Sequence, residues 1–272
     1  MSAAPSPDAI AREILAASES RRQIAPFSER LAGFDLVGAY QVTAALRRLR
    51  TERGERPVGR KIGFTNRTIW AEYGVYAPIW GDMYETTLRP LASEGSLDLS
   101  PLLEPRIEPE IAFGLGRAPA PGMDEAALLA CIDWLAHGFE IVQSVFPGWR
   151  FAAADTVAAY GLHGAYRIGP RLHLRDQPDV DWLSVLSSFE IDLSRAGQVI
   201  DRGRAANVLD GPLSALRHLV ELLAKDRVNL PLAAGEIVTT GTLTRAFPVR
   251  PGESWSTRLI SLPIAGITIR FV

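Results

Sequence analysis

Two glutamates stand two residues apart in PRIEPEIAFGLG, residues 105 to 116, a run that otherwise reads as a buried strand. Side chains alternate along a strand, so Glu108 and Glu110 share one face while Ile107, Pro109 and Ile111 share the other. If that face is interior, two anions ~4 Å apart repel by about 4 kcal/mol at an effective dielectric of about 20, and the pair asks for a cation or a proton. If the face is solvated it asks for nothing, and the segment alone favours that reading, because carboxylates are rarely buried unpaired. A third carboxylate, Glu140, is the one ionisable residue of the strand-like FEIVQSVF, residues 139 to 146. Three glutamates from two strands could supply an all-oxygen site for a hard cation, Mg2+ or Mn2+, leaving the remaining positions to water or substrate. Zinc is disfavoured, since no histidine pair or cysteine accompanies them. Alone, Glu140 reads equally well as half of a buried salt bridge to an arginine.

Other residues could serve such a site. GRKIGFTN, residues 59 to 66, sets Lys61 among apolar residues and glycines, where it could neutralise a substrate carboxylate or act as acid or base if burial lowers its pKa. Next to Arg60 it also reads as a surface lysine. Asp82 follows a turn in GDMYETT, and Asp155 precedes Thr156 in AAADTVAAYG; each alone fits a turn or cap acid. EIVTTGTLT contributes Thr240, Gly241 and Thr242, a backbone-exposing turn able to bind carboxylate oxygens. The histidines, His137, His163, His173 and His218, lack metal-ligand spacing, and His163, the one placed to serve a hydrolytic pair, follows no obvious acid. GLGRAP lacks the third glycine of a dinucleotide fingerprint, and neither a P-loop nor a GxSxG elbow occurs.

The elements that must position these residues read as two N-terminal helices leading into a mixed, mainly β domain. DAIAREILAASESRR has Asp8 as an N-cap candidate, and the helix after Asp35 presents Tyr40, Ala44, Ala45 and Leu49 on one face. Beyond residue 57 short apolar runs are broken by Gly and Pro, the texture of strands and turns. Two further helices are expected, DEAALLACIDWLAHG, ending at Gly138, and GPLSALRHLVELLAKD. SFEIDLSRAGQVID reads as a hairpin turning at Ala196 and Gly197, and ISLPIAGITIRFV as another around Ala265 and Gly266. With 29 basic against 31 acidic residues in 272, no basic field favours nucleic acid or an anionic membrane. The single cysteine, Cys131, excludes an internal disulfide and reads as a packing residue in a reducing compartment. No apolar leader or stretch of about 18 apolar residues is present, so the expectation is a soluble cytoplasmic protein.

Taken in order, GRKIGFT, GDM, PRIEPEIAF, GFEIVQS, DTVA, AGEIVTTGTLT and GITIRF make the chain resemble the fumarylacetoacetate hydrolase superfamily, in its 2-keto-4-pentenoate hydratase and 4-oxalocrotonate decarboxylase branch, from about residue 35 to the end. The resemblance implies an α+β fold, a β-rich rolled mixed sheet (58–272) with an N-terminal helical segment (1–57), and usually Mg2+ or Mn2+. It implies Glu108, Glu110 and Glu140 as metal ligands, Lys61 beside the substrate, Asp82 and the Thr240 to Thr242 turn in the pocket, and Asp155 as a further acid. It also implies a homo-oligomer acting on a small 2-oxo or 2-hydroxy-dienoic acid. Where family members often continue DTVA with an Asp-Asn-Ala-Ser type sequence, this chain reads DTVAAYGLHG, and an inward loop would put Tyr160 and His163 against the substrate's distal end. The reaction expected is metal-dependent hydration of a 2-hydroxy-dienoate. Decarboxylation of a 2-oxo-enedioate uses the same electron sink and is the alternative; hydrolysis of an acylpyruvate, or a binding protein without chemistry, ranks below both.

Overall fold

The computed structural model describes residues 5–272. Ser6, not Asp8, caps α1 (Pro7–Glu19): the Ser6 hydroxyl accepts from the Ala9 amide with Pro7 in the first turn, while Asp8 pairs with Arg48. After the single turn α2 (Phe27–Arg30), Asp35 caps α3 (Leu36–Glu52) as its sequence predicts. Ile10, Ile14, Ala39, Val42 and Leu46 from these helices form one apolar cluster with Ile79, Tyr84, Val145 and Val157 of the β-rich body, so the helical segment is packed onto that body.

The body contains β1 (Pro57–Gly63), α4 (Trp70–Tyr73), β2 (Ile79–Tyr84), β3 (Leu88–Pro90), β4 (Glu94–Leu97), β5 (Arg106–Leu115), α5 (Glu125–Leu129) and β6 (Ile132–Val142). Then follow α6 (Ala153–Ala158), β7 (His163–Ile168), β8 (Leu172–His173), α7 (Trp182–Ser188), β9 (Glu190–Arg195), β10 (Gln198–Arg204) and α8 (Pro212–Lys225). The chain closes with β11 (Ile237–Thr239), β12 (Phe247–Pro248), β13 (Ser254–Ile260) and β14 (Thr268–Phe271). Nine strands form one sheet along the path β2-β1-β11-β5-β6-β7-β3, with β12 and β8 paired at its sides. The strands at the two ends of that path, β2 and β3, are joined by residues 85–87, so the sheet curls until its ends meet. A second sheet, β10-β9-β13-β14-β4, packs Leu193, Trp255, Ile269 and Phe271 against Ile107, Phe139 and Ile141 of the first. This is the rolled, β-rich α+β architecture expected.

Two expectations for the elements fail instructively. The helix expected through Gly138 stops at Leu129, and residues 132–142 are β6, paired over ten positions with β5. A strand buried on both faces is nearly continuously apolar, so the stretch from Cys131 to Phe139 fits either period, and pairing with β5 decides for the strand. The final hairpin does not turn tightly at Ala265 and Gly266; β13 pairs with β14 through Ser254 to Ser256, and residues 261–267 connect them. The hairpin at Ala196 and Gly197 is present, both residues having positive φ. Cys131 is buried, its sulfur 3.9 Å from that of Met123. No helix among the described residues is long and apolar enough to cross a membrane.

Candidate active site

Strand alternation places Glu108 and Glu110 of β5, Glu140 of β6 and Lys61 of β1 on the inner face of the roll, above a plug of Met83, Ala112, Trp134 and Ile237. Glu108 lies directly across from Glu140. One carboxylate oxygen from each of the three glutamates falls within 4.8 Å of the others. Glu110 and Glu140 are fully buried and Glu108 is half-buried at the edge of the group. Lys61 Nζ lies 3.1 Å from Glu140 Oε2 and donates to the Gly161 carbonyl at 3.0 Å. The Gly241 amide donates to Glu110 Oε2 at 3.0 Å, whereas Glu110 Oε1 is buried without any partner.

The electrostatics report a missing charge. Burial pushes the Glu108 carboxyl up to about 7, Lys61 opposing and Glu140 adding to the rise. Glu110 is likewise raised, by burial and then by the charge of Glu140. Burial would raise Glu140 as well, but Lys61 and His163 outweigh it and its carboxyl is lowered. Lys61 was expected to become a base if burial lowered its pKa; burial does oppose its charge, yet the three glutamates prevail and its pKa is raised. Three carboxylates against one ammonium leave the group short of positive charge, and an all-oxygen donor set with two buried oxygens, Glu110 Oε1 and Glu140 Oε2, lacking hydrogen-bond partners suits a hard divalent cation.

Beside Lys61 and Glu108 lies a small cavity of about 40 Å³, walled by Phe64, Tyr73, Phe151 and Leu162. Two glycines let the segments around it approach closely. Gly241 has φ +98, and a Cβ there would meet the Thr65 hydroxyl at 1.8 Å; a Cβ on Gly81 would meet the Tyr160 carbonyl at 2.1 Å. That close approach fixes the loop after α6, where Tyr160, Gly161 and Leu162 are consecutively left-handed, an arrangement that costs free energy at its two non-glycine positions. The run turns the Gly161 carbonyl to Lys61 and Leu162 into the cavity. Tyr160 turns the other way, with the Arg50 guanidinium 5.2 Å from its ring, and lines a separate cavity of about 380 Å³ with His163, Thr87 and Arg167.

The expected pocket residues therefore divide. Thr242 borders the small cavity and Gly241 holds Glu110, while the Thr240 hydroxyl donates to the Ile111 carbonyl. Asp82 is not brought to the group: it sits across from Arg60, on the opposite sheet face from Lys61, paired with Arg60 at 3.1 Å and Arg47 at 2.7 Å. Asp155 is a helix-start anchor whose carboxylate accepts from the Ser28 amide and hydroxyl and from the Ala152 amide. Tyr160 and His163 do not line the small cavity. His163 does have an acid, however, for its Nδ1 is 2.7 Å from Glu140 Oε1 and its Nε2 2.8 Å from the Thr87 hydroxyl. Of the aromatic segment from Trp70 to Trp80, only Tyr73 borders the cavity; Trp80 stacks on Tyr40 in the core. Sequence reasoning missed Tyr166, which faces Glu140 across β6 and β7 and whose buried hydroxyl is unpartnered, and Arg106, on the same strand face as Glu108. The two-residue spacing of Arg106 from Glu108 was the available signal.

Known proteins resemble the chain in sequence and fold. The family model described as Fumarylacetoacetate (FAA) hydrolase C-terminal matches residues 93–269. 4-Oxalocrotonate decarboxylase of Pseudomonas putida is 31% identical over 236 residues, 86% of this chain and 84% of that protein. 2-Keto-4-pentenoate hydratase 2 of Dechloromonas aromatica (strain RCB) is 31% identical over 259 residues, 94% of each. The solved structure of 4-oxalocrotonate decarboxylase from Pseudomonas putida G7, complexed with magnesium and adipate, has a TM-score of 0.87 at 28% identity and covers 98% of this chain and 97% of that one. A family match over more than half the sequence, with relatives aligned along most of both chains, means that the protein belongs to the fumarylacetoacetate hydrolase family.

Proposed function

We propose that the chain is a divalent-metal-dependent lyase that takes a 2-hydroxy-dienoate, or its 2-oxo-enoate tautomer, and hydrates it to a 4-hydroxy-2-oxo acid. The observation carrying this reading is the charge deficit on the inner face, three convergent glutamates against one lysine. Similarity to proteins named as hydratases and decarboxylases, one of them complexed with magnesium, supports it. Glu108, Glu110 and Glu140 would hold Mg2+ or Mn2+, whose chemistry is Lewis-acid stabilisation of negative charge on the carboxylate and C2 oxygen of a 2-oxo acid.

The remaining work falls to the chain. Lys61 Nζ, held between Glu140 and the Gly161 carbonyl, faces the cavity as an ammonium, where it balances substrate charge and keeps a proton within reach of the developing enolate. Phe64, Tyr73, Phe151 and Leu162 exclude bulk water from the conjugated chain and hold it flat. From the 2-hydroxy-dienoate the enol proton is first lost from the C2 oxygen and one is added at C5, giving the 2-oxo-3-enoate; addition of one water across C3=C4 then puts hydroxyl on C4 and a proton on C3.

A second reading, decarboxylation of a 2-oxo-enedioate, is favoured by Arg106. Its guanidinium donates to the Tyr73 hydroxyl at 2.8 Å and lies 4.1 Å from the Trp149 ring centre, with no carboxylate paired to it among the described residues. Two strand residues, ~7 Å, separate it from Glu108, about the length of a short dioate. The test is a screen of 2-hydroxy-dienoates and 2-oxo-enedioates with Mg2+ or Mn2+ and product identification, beside a Glu110→Gln variant. Absence of both hydration and decarboxylation, or an unimpaired Glu110→Gln enzyme, would sink the reading.

A further inference from the structure

Glu140 differs from its two neighbours in facing a side-chain nitrogen at each oxygen: Oε1 is hydrogen-bonded to His163 Nδ1 at 2.7 Å, while Oε2 lies 3.1 Å from Lys61 Nζ in an ion pair without a hydrogen bond. An ionised carboxylate only accepts, so the His163 Nδ1 carries the hydrogen of that bond. The far nitrogen, Nε2, is 2.8 Å from the Thr87 hydroxyl, which also bonds the Tyr84 backbone in the turn joining β2 to β3. The imidazole is thus held at both ends, and it is fully buried. A register shift between Ile141 and Val142, where β6 faces β7, aims His163 at Glu140 when simple alternation from Tyr166 would turn it away.

Resting on the metal-dependent reading above, we propose that His163 is a positioning residue: it fixes the Glu140 carboxylate so that its remaining coordination capacity points at the other two glutamates. Lys61 alone cannot do this, since one ammonium on a flexible stem leaves the carboxylate free to rotate about its last torsion. Donation at Oε1 removes that freedom and raises affinity for a cation, as outer hydrogen-bond partners of metal ligands generally do. His163 touches the glutamate group from the side of the larger cavity and does not line the small one beside Lys61 and Glu108.

The experiment is titration of metal-free protein with Mn2+ by calorimetry, for wild type, His163→Asn, His163→Leu and Thr87→Val. The Asn amide nitrogen can stand where Nδ1 stands, whereas Leu fills the volume and donates nothing. The expected result is a 10–100-fold loss of Mn2+ affinity for His163→Leu, recovery of most of it in His163→Asn, and a loss of a few-fold in Thr87→Val. A merely structural histidine predicts the reverse order, Leu being the better core residue. Wild-type affinity in His163→Leu overturns the inference; if His163→Leu fails to fold, wild-type affinity in Thr87→Val, or a loss of about 10–100-fold in His163→Asn, overturns it. Absence of Mn2+ binding by wild type overturns the metal-dependent reading itself.

Discussion

Arg60 and Lys61 are consecutive residues of one strand, both buried, and they sit on opposite faces of the rolled sheet in two different ionic clusters. On the outer face Arg60 contacts Asp82 at 3.1 Å and Glu236 at 2.9 Å, and Arg47 completes the set through Asp82 at 2.7 Å, so two cations meet two anions. On the inner face Lys61 meets three glutamates. Both clusters contain buried, paired charges, so neither burial nor pairing separates a working site from a structural one. The difference is closure. A balanced buried cluster holds elements together, and an unbalanced one needs something the chain does not contain.

Substitutions on the two faces can break this contrast. The largest effect expected is at Lys61: Lys61→Met lowers turnover by about 10²–10⁴-fold while Mn2+ affinity is kept, measured by single-turnover kinetics and calorimetry on the same preparation. Wild-type turnover would return Lys61 to the ordinary side of the comparison. On the outer face Asp82→Asn should destabilise the fold by about 1–3 kcal/mol in urea, because it removes the carboxylate shared by Arg60 and Arg47 and leaves Arg60 only Glu236, and leave Mn2+ affinity unchanged. A stable Asp82→Asn protein with impaired chemistry would place Asp82 in the mechanism instead.

Smaller changes sharpen the picture. Leu162→Ser should shift the kcat/KM ratio between short and extended dienoates by about tenfold, and Tyr160→Asn should leave it alone, because only Leu162 borders the small cavity. A shift in the Tyr160 variant and none in the Leu162 variant would invert the loop. The smallest effect is on melting temperature. Glu108, raised by burial to about 7, and Glu110, also raised, hold protons in the metal-free fold that the unfolded chain has released above its ordinary glutamate pKa. Metal-free stability therefore falls as pH climbs from about 4.3 through 7. Glu140, being lowered, acts below that window. The gap between Mg2+-saturated and chelated melting temperatures should widen from pH 5 to pH 8, and a constant gap would mean the deficit is not there.

The glutamate pair was readable because strand periodicity is local: two residues apart means one face, whatever lies around it. The same rule applied to Arg60 and Lys61 separates their faces, but which face is the inner one depends on how the sheet rolls, and Asp82 was assigned to the wrong side for want of that. Glu140 was picked out as a charge in apolar company, though half of its own strand read as a helix, since double-sided burial hides the period. The Glu140–His163 contact was invisible, for it depends on a register shift between β6 and β7. Tyr160 turned away from the small cavity because three successive left-handed residues, which no propensity anticipates, set the phase of the loop.

The position of β11 in the sheet bears on how the molecule is made. It lies between β1 and β5, and pairs Gly59 with Ile237 and Lys61 with Thr239. During synthesis β1 and β2 can form their hairpin early, and β5 can pair with β6 and, through β7, with β3, but β1 and β5 are not joined to each other until the ribosome has passed Thr239. Until then the edge of β1 and the edge of β5 are both open, each a template for a foreign strand. Long-range closure of this kind is slow and exposed to aggregation. A chain truncated before β11 would therefore carry Lys61 and the glutamates on a sheet left open between β1 and β5.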